Sequence, residues 1–112
     1  MAARYDFAIK QGETFSIVFR PLDSAGAAVA INGGTARLTV RPFLGSSDVL
    51  LDLTTGGGGL VITDNTVEAT VTAAQSGAMT RSGVYDLKVV LADASVIYLC
   101  EGTIDIEPRV SV

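Results

Sequence analysis

Apolar side chains recur at every second position over much of this chain, and this alternation constrains the fold more than any other feature of the sequence. It is clearest in residues 5–9, 15–19, 36–40 and 85–91. A period of two places the apolar side chains on one face of an extended strand. Thr, Val and Ile supply 31 of the 112 residues, and β-branched side chains favour strands. The sequence therefore predicts a mostly β protein.

Turn-forming residues separate the predicted strands, because Gly, Asn, Asp and Pro either tolerate positive φ, bond their own backbone or fix φ. They occur at residues 11–12, 23–26, 33–34, 64–65 and 92–95, and Pro21, Pro42 and Pro108 interrupt strand pairing. We expect an all-β fold, an antiparallel immunoglobulin-like β-sandwich of about seven to eight strands with one short helical turn. The chain has no Trp and one Cys, so it would lack the disulfide and the buried Trp of antibody domains.

Three segments carry more specific expectations. Residues 72–79 favour a helix of about two turns with Thr72 as its N-cap. Residues 60–72 predict a hairpin around Asp64-Asn65, and residues 85–106 predict a second one. Regular alternation in the last strand would place Tyr98, Cys100, Gly102, Ile104 and Ile106 on one side, and Ile97, Leu99 and Glu101 on the other.

Three shorter stretches are less regular. Residues 29–31 are predicted to form a short extended piece, and residues 48–53 a strand whose two adjacent leucines leave the inward face open. The four glycines at 56–59 would need a following helix, and usually a Lys, to bind phosphate. The strand-like residues 60–62 follow instead, so we expect a flexible connection between strands.

Length and composition predict one folded domain. A chain of 112 residues matches the usual domain size, so residues 1–112 form a single β-sandwich domain with residues 109–112 as a short tail. Hydrophobic residues make up 48% and charged residues 18%, which is unlike the composition of disordered proteins. The net charge of −4 argues against a nucleic-acid partner.

Neither a leader nor a membrane span is expected from the sequence. The first ten residues alternate polar and apolar side chains, unlike the continuous apolar stretch of a secretory signal. No segment approaches the roughly 18 to 20 consecutive apolar residues of a spanning helix. We therefore expect a protein made in a cytoplasm, with no membrane partner.

Few residues could support catalysis. The chain has no His and a single Cys, so His general bases and intramolecular disulfides are excluded. The pairs Asp48 with Asp52, and Asp105 with Glu107, could each share a strand face. Without a basic or nucleophilic companion, such carboxylates are more often solvated strand faces. We expect no enzyme and predict no catalytic residues.

Other polar residues also favour ordinary structural roles. Asp23, Asp64 and Asp93 lie in turns but lack the spacing of a calcium loop, and Asp in turns bonds its own backbone. Cys100 is predicted to be a buried small hydrophobic residue. The arginines at 37 and 41 could pair with a partner's carboxylates or be solvated. We predict no metal-binding or cofactor-binding residues and no cofactor.

The remaining function class is binding or assembly. The edge strands of an antiparallel sandwich carry unpaired backbone groups that a neighbouring subunit can complete. The glycine run at 56–59 and the apolar tail at Val110 and Val112 are the segments that we expect to become ordered on contact.

Several segments together resemble small β-sandwich proteins of tailed bacteriophages. They are residues 5–15 (YDFAIKQGETF), the turn 23–26 (DSAG) followed by Val29, residues 36–41 (ARLTVR), residues 83–87 (GVYDL) and residues 99–108 (LCEGTIDIEP). The group is similar to the immunoglobulin-like N-terminal domain of phage baseplate upper proteins, over nearly the whole chain.

This resemblance implies a non-enzymatic structural protein of the virion, present in many copies in a symmetric assembly. Its partners would be other phage tail, baseplate or fibre proteins, and its location the phage tail or particle surface after assembly in the host bacterial cytoplasm. Larger members of the group carry receptor-binding or fibre-attaching regions after this domain. Because the sequence stops at Val112, we expect a tail or baseplate adaptor. A capsid decoration protein is the alternative.

Overall fold

A computed structural model describes residues 3–79 and 81–107, so the predicted tail at 109–112 lies outside the described residues. The described part contains nine strands and one helix. In chain order they are β1 (Ala3–Arg4), β2 (Phe7–Lys10), β3 (Phe15–Phe19), β4 (Thr35–Arg41), β5 (Leu51–Thr54), β6 (Leu60–Thr63), β7 (Thr66–Val71), α1 (Ala73–Ala78), β8 (Gly83–Val90) and β9 (Val96–Glu107).

The strands form two sheets with one core between them. Six strands make the larger sheet, in the order β1-β9-β8-β4-β5, with β2 also paired to β9. Three strands, in the order β3-β7-β6, make the smaller sheet. The pairs among β4, β5, β8 and β9 are antiparallel, whereas β1 and β2 run parallel to β9. The predicted sandwich with a single short helix is confirmed, and the parallel pairing of the N-terminal strands is an addition to it.

The core is built from the alternate residues of both sheets. Leu38, Leu87 and Ile104 contribute from the larger sheet, and Val67 and Ala69 from the smaller one. Each of these side chains is almost fully buried. Strands β4, β5 and β8 bury every second residue, so the period of two in the sequence correctly indicates the inward faces.

Of the three less regular stretches, residues 29–31 lie outside the named strands, and residues 48–53 differ from the prediction. Residues 29–31 form no strand in the structure, although Ile31 is fully buried. The backbone N–H of Ile31 donates to Oδ1 of Asn65 at 3.0 Å instead of pairing with a strand. Strand β5 begins at Leu51, not at residue 48, and Leu51 and Leu53 face the core while Leu50 is only partly buried.

A β-bulge in β9 changes the predicted face of one residue. Leu87 of β8 pairs with Cys100, but the next residue, Lys88, pairs with Tyr98, so Leu99 is left over. An extra residue in one strand reverses the alternation at that point. Cys100 is therefore buried, as expected, while Tyr98 is 52% exposed. The prediction that Tyr98 and Cys100 share a face is wrong.

Local turn and cap signals are confirmed in the smaller sheet and the helix. Asp64 and Asn65 both have positive φ, 51° and 59°, in the two-residue connection between β6 and β7. That conformation is typical of the tight turn that matches strand twist. Thr72 caps α1, and its side chain and that of Gln75 form a reciprocal capping box.

Candidate protein-interaction surface

An open groove of about 700 Å³ lies between the two sheets, beside β3 and the start of β9. One wall consists of residues 17–22 and Val29, and the other of residues 97–100 with Arg4 and Tyr5. We refer to this set of residues as the groove. Its volume is in the range of pockets that bind ligands or side chains of a partner.

Strand edges border both walls of the groove. Among the described residues, strand β3 is the outer strand of the smaller sheet and pairs on one side only, with β7. On β9, the partner strand β1 begins opposite Cys100, so within the described residues no strand pairs with residues 96–99 on that side. Open strand edges can accept a further strand or a loop from another chain. The sequence predicted such edges without indicating which strands would provide them.

The groove exposes a group of apolar and aromatic side chains. Leu22 is 61% exposed, Tyr98 52%, Tyr5 49% and Val18 40%. The bulge described above turns Tyr98 outward. Clustered exposed apolar side chains mark interaction sites, whereas isolated ones are ordinary. Sequence reasoning did not single out these four residues, because the two walls are some eighty positions apart in the chain.

The charged residues that line the groove are both basic. In the part of the chain that the structure describes, Arg4 and Arg20 are its only charged lining residues, although the whole chain has a net charge of −4. Arg4 lies 3.3 Å from the carboxylate of Asp6. The backbone N–H of Thr103, which donates to Asp6, and the neighbouring Arg4 hold the pKa of Asp6 below its usual value. Arg4 thus already has an acidic partner within the chain, and Arg20 is the basic lining residue that can meet an acidic residue of another protein.

A buried hydrogen-bonded pair supports the floor of the groove. The hydroxyl of Tyr85 donates to the carbonyl oxygen of Tyr5 at 2.6 Å, and its oxygen lies 3.2 Å from Sγ of Cys100. Burial, together with the contact to Cys100, raises the pKa of the Tyr85 hydroxyl. The hydroxyl thus stays protonated and fixes the backbone of Tyr5 against β9. Cys100 is a buried core residue, as predicted.

We expect the Cys100 thiol to be protected from reagents in the native protein. Its exposed fraction is 5%, so a thiol reagent cannot reach the sulfur while the structure stays closed. With Ellman's reagent, the native chain should react at least about 100-fold more slowly than the chain in urea, because reaction requires opening of the structure. Equal rates in the two conditions would show that Cys100 is accessible.

A second exposed apolar feature is the loop of residues 42–50 between β4 and β5. Phe43 is 59% exposed and Leu44 92%. The loop is held from behind, because Nη1 of Arg41 donates to the carbonyl oxygens of Ser46 at 3.0 Å and Asp48 at 3.4 Å. The sequence carries a signal for this feature: two large apolar residues follow Pro42 directly, outside any predicted strand. The sequence analysis did not identify it.

The predicted carboxylate pair at 48 and 52 does not form one site. Asp52 accepts two hydrogen bonds from Arg37, at 2.9 and 2.7 Å, and the contact with Arg37 lowers the pKa of Asp52. Asp48 lies outside β5, 4.0 Å from Nη2 of Arg81. Each carboxylate therefore has its own arginine. Within the chain, Arg37 contacts Asp52, and Arg41 contacts the carbonyl oxygens of Ser46 and Asp48. The Arg37 side chain is still 52% exposed, and pairing with a partner's carboxylate stays a prediction.

The other acidic candidates have local roles or lie on the surface. Asp23 accepts from the backbone N–H groups of Ala25 and Ala27, at 2.9 and 3.0 Å, and Asp93 accepts from that of Ser95 at 2.9 Å. These bonds confirm the turn role expected for the two residues. Asp105 and Glu107 are exposed on β9.

The glycine run connects two strands, as predicted. The backbone N–H of Gly57 donates to Oγ1 of Thr54 at 2.6 Å, and that of Gly58 donates to the carbonyl oxygen of Thr54 at 2.9 Å. These bonds close a turn between β5 and β6. Within residues 3–79 and 81–107, acidic and Cys side chains form no group of three that could hold a metal ion, and no helix is long and apolar enough to cross a membrane.

Comparison with known proteins supports the fold and leaves the family open. No protein-family model matches the sequence, and no curated protein matches it. Among solved structures, the chain is similar to a chicken TCR with a TM-score of 0.55 and 11% sequence identity, over 98% of this chain and 55% of that one. The chain thus spans about half the length of the structure that it matches. At this identity the likeness shows the fold alone, and the predicted immunoglobulin-like β-sandwich is confirmed.

Proposed function

We propose that this protein is a non-enzymatic structural component of a bacteriophage virion, a tail or baseplate adaptor that joins other tail or fibre proteins. The resemblance of residues 5–15, 83–87 and 99–108 to phage β-sandwich proteins supports the viral assignment. The groove supports the assembly role.

The groove is the observation that carries the proposal. Its exposed side chains, Leu22, Tyr98, Tyr5 and Val18, form one patch, which is more readily explained by a protein partner than by solvent. Aromatic residues with an arginine at the margin are the composition of energetically important contacts between proteins. Arg4 and Arg20 provide that margin.

A capsid decoration protein is the second candidate. The outer face of the larger sheet is polar and charged, with Arg37, Asp52, Asp86 and Glu101 exposed. Such a domain fits a position on a particle surface, because the charged face can contact solvent while the apolar groove contacts the particle. Electron cryomicroscopy of particles separates the two candidates by location.

The proposal is tested with purified particles from cells that produce either the natural chain or a groove variant. We expect mass spectrometry to detect the natural chain in the particles. The change Leu22→Asp places a charge in the groove and should remove the protein from them. Ser24→Asp is the matched control, because it adds the same charge at an exposed turn position outside the groove.

Circular dichroism of both variants verifies that they fold. Absence of the natural chain from purified particles would contradict the proposed function, and so would normal incorporation of the Leu22→Asp variant.

A further inference from the structure

We propose that the groove receives the loop of residues 42–50 from a second copy of this chain, so that copies associate head to tail. This inference rests on the proposed function, since it names the partner of the same groove. The two complementary surfaces are both present in one chain, on separate parts of the sandwich.

The loop has the properties of an inserting element. Phe43 and Leu44 are 59% and 92% exposed, and neither packs against the core. The backbone N–H of Ser46 donates to the carbonyl oxygen of Phe43 at 3.1 Å, and Arg41 holds the far side of the loop. A loop that is already ordered loses little conformational freedom on binding, so more of the contact energy appears as affinity.

The groove is the matching acceptor in both polarity and charge. Its walls are mainly apolar and aromatic, and its charged residues are Arg4 and Arg20. The loop carries one acidic residue, Asp48, whose side chain is 74% exposed and lies 4.0 Å from Nη2 of Arg81, a long contact that a closer arginine can replace. Insertion of Phe43 and Leu44 would bring this carboxylate to the basic margin of the groove, where opposite charges favour the encounter.

The positions of the two surfaces favour a second molecule as the partner. Leu44 lines a depression on the outer face of its own larger sheet, and of the described lining residues the groove shares one, Arg4, with that depression. The other end of the groove, at Ile97, pairs with Val89 of β8, whereas the loop leaves β4 beside Val84. Five residues of strand, about 16 Å, separate Val84 from Val89.

In the proposed head-to-tail contact, each copy gives its loop to one neighbour and receives the loop of another, so the contact is heterologous. Such a contact leaves a free loop at one end and a free groove at the other, and it extends to rings or open filaments. A two-fold dimer in which two copies exchange loops would stop at two copies, so the size of the natural chain's oligomers separates it from the head-to-tail contact. An isologous dimer through the groove alone is separated by the loop variant, which would still dimerise.

The experiment is analytical ultracentrifugation of the natural chain, Leu44→Asp, Leu22→Asp and an equimolar mixture of these two variants. We expect the natural chain to form oligomers that grow with concentration. Each variant alone should be monomeric, with association weakened at least about tenfold. The mixture should form heterodimers and nothing larger, because one partner retains the loop and the other retains the groove.

Matched controls separate the contact from the added charge. Ser47→Asp lies in the same loop and Ser24→Asp near the same groove, and both positions are exposed. Both controls should retain association, and Ser47→Asp, which adds a second negative charge beside Asp48, should not weaken it. A second measurement needs no variants: backbone amide shifts that change on dilution should be confined to the loop, residues 42–50, and to the groove, residues 4–5, 17–22, 29 and 97–100.

Several results would overturn the inference. They are a natural chain that remains monomeric at millimolar concentration, a Leu44→Asp variant that still associates, and a mixture of variants that stays monomeric. Failure here is distinct from failure of the proposed function. If the natural chain is monomeric in solution but Leu22→Asp is still excluded from particles, the groove serves another virion protein and only the self-association is wrong.

Discussion

Replacing Gly102 with alanine should destabilise the protein by about 3 kcal/mol, near the upper end of the range for overpacked sites. A Cβ at this position would collide with the carbonyl oxygen of Tyr5 and come within 2.7 Å of Oδ1 of Asp6. The first obstacle is backbone, which cannot rotate away as a side chain can. The segment from β1 to β2 would have to move off β9.

That movement would also break the contacts that hold the segment. Three hydrogen bonds are at risk: from the N–H of Tyr5 to the carbonyl oxygen of Glu101 at 2.9 Å, from the hydroxyl of Tyr85 to Tyr5 at 2.6 Å, and from the N–H of Thr103 to Asp6 at 2.8 Å. Arg4 and Tyr5 belong to the groove. The substitution should therefore distort one groove wall as well as lower stability.

Thermal unfolding measures this effect, with an expected fall in Tm of roughly 10 °C for a domain of this size. Gly56→Ala is the matched control, because a Cβ there meets nothing within 4 Å and the residue does not have positive φ. It should leave Tm unchanged or raise it slightly, since alanine restricts the unfolded chain. Equal Tm values for the two variants would contradict the close approach of Tyr5 to Gly102.

The period-two pattern predicted burial more accurately than it predicted pairing. Strands β3, β4 and β8 lie where the alternation is strongest. Residues 29–31 also alternate, and Ile31 is fully buried, yet its N–H bonds to the side chain of Asn65 instead of a strand. Apolar residues at alternate positions indicate that one face of the segment is buried. They do not indicate which group accepts the hydrogen bonds of the backbone N–H groups, because that group is distant in the sequence.

The groove could not be predicted from the sequence for a related reason. At the bulge, β9 has one more residue than β8, so Leu99 has no partner residue. No glycine or proline in the sequence indicates this position. The bulge alone moves Tyr98 from the predicted inward face to the exposed one. Residues 17–22 form the opposite wall of the groove because β3 is an edge strand, so no further strand covers them. Edges are a property of strand order, which alternation does not determine.

The glycine and aspartate turns were more predictable because their cause is local. Asp64 and Asn65 adopt positive φ in a two-residue connection, and Asp23 bonds the backbone of its own turn. Such preferences arise within about four residues. The same holds for Thr72, whose cap needs only Gln75 three residues on. Local chemistry was thus recovered from the sequence, and long-range geometry was not.

The same substitution at two leucines should lower the free energy of unfolding strongly at one position and hardly at the other. Leu87 is fully buried in β8, between Leu38 of β4 and Cys100 of β9. Leu87→Ala should cost about 2–5 kcal/mol, because it removes buried methyl groups and leaves a cavity. Leu44 is 92% exposed, so Leu44→Ala should change the free energy of unfolding by less than about 0.5 kcal/mol. Urea denaturation of both variants measures the difference, with unchanged m-values as the sign of an intact fold.

This contrast also separates stability from association. Phe43 and Leu44 are exposed side by side, and the proposed contact with a second copy would account for that exposure. Leu44→Ala should therefore leave Tm unchanged while it weakens the association of copies, whereas Leu87→Ala should lower Tm and affect association only through unfolding. If Leu44→Ala were as destabilising as Leu87→Ala, the loop would be packed against its own chain, and it could not be the element that enters the groove of a second copy.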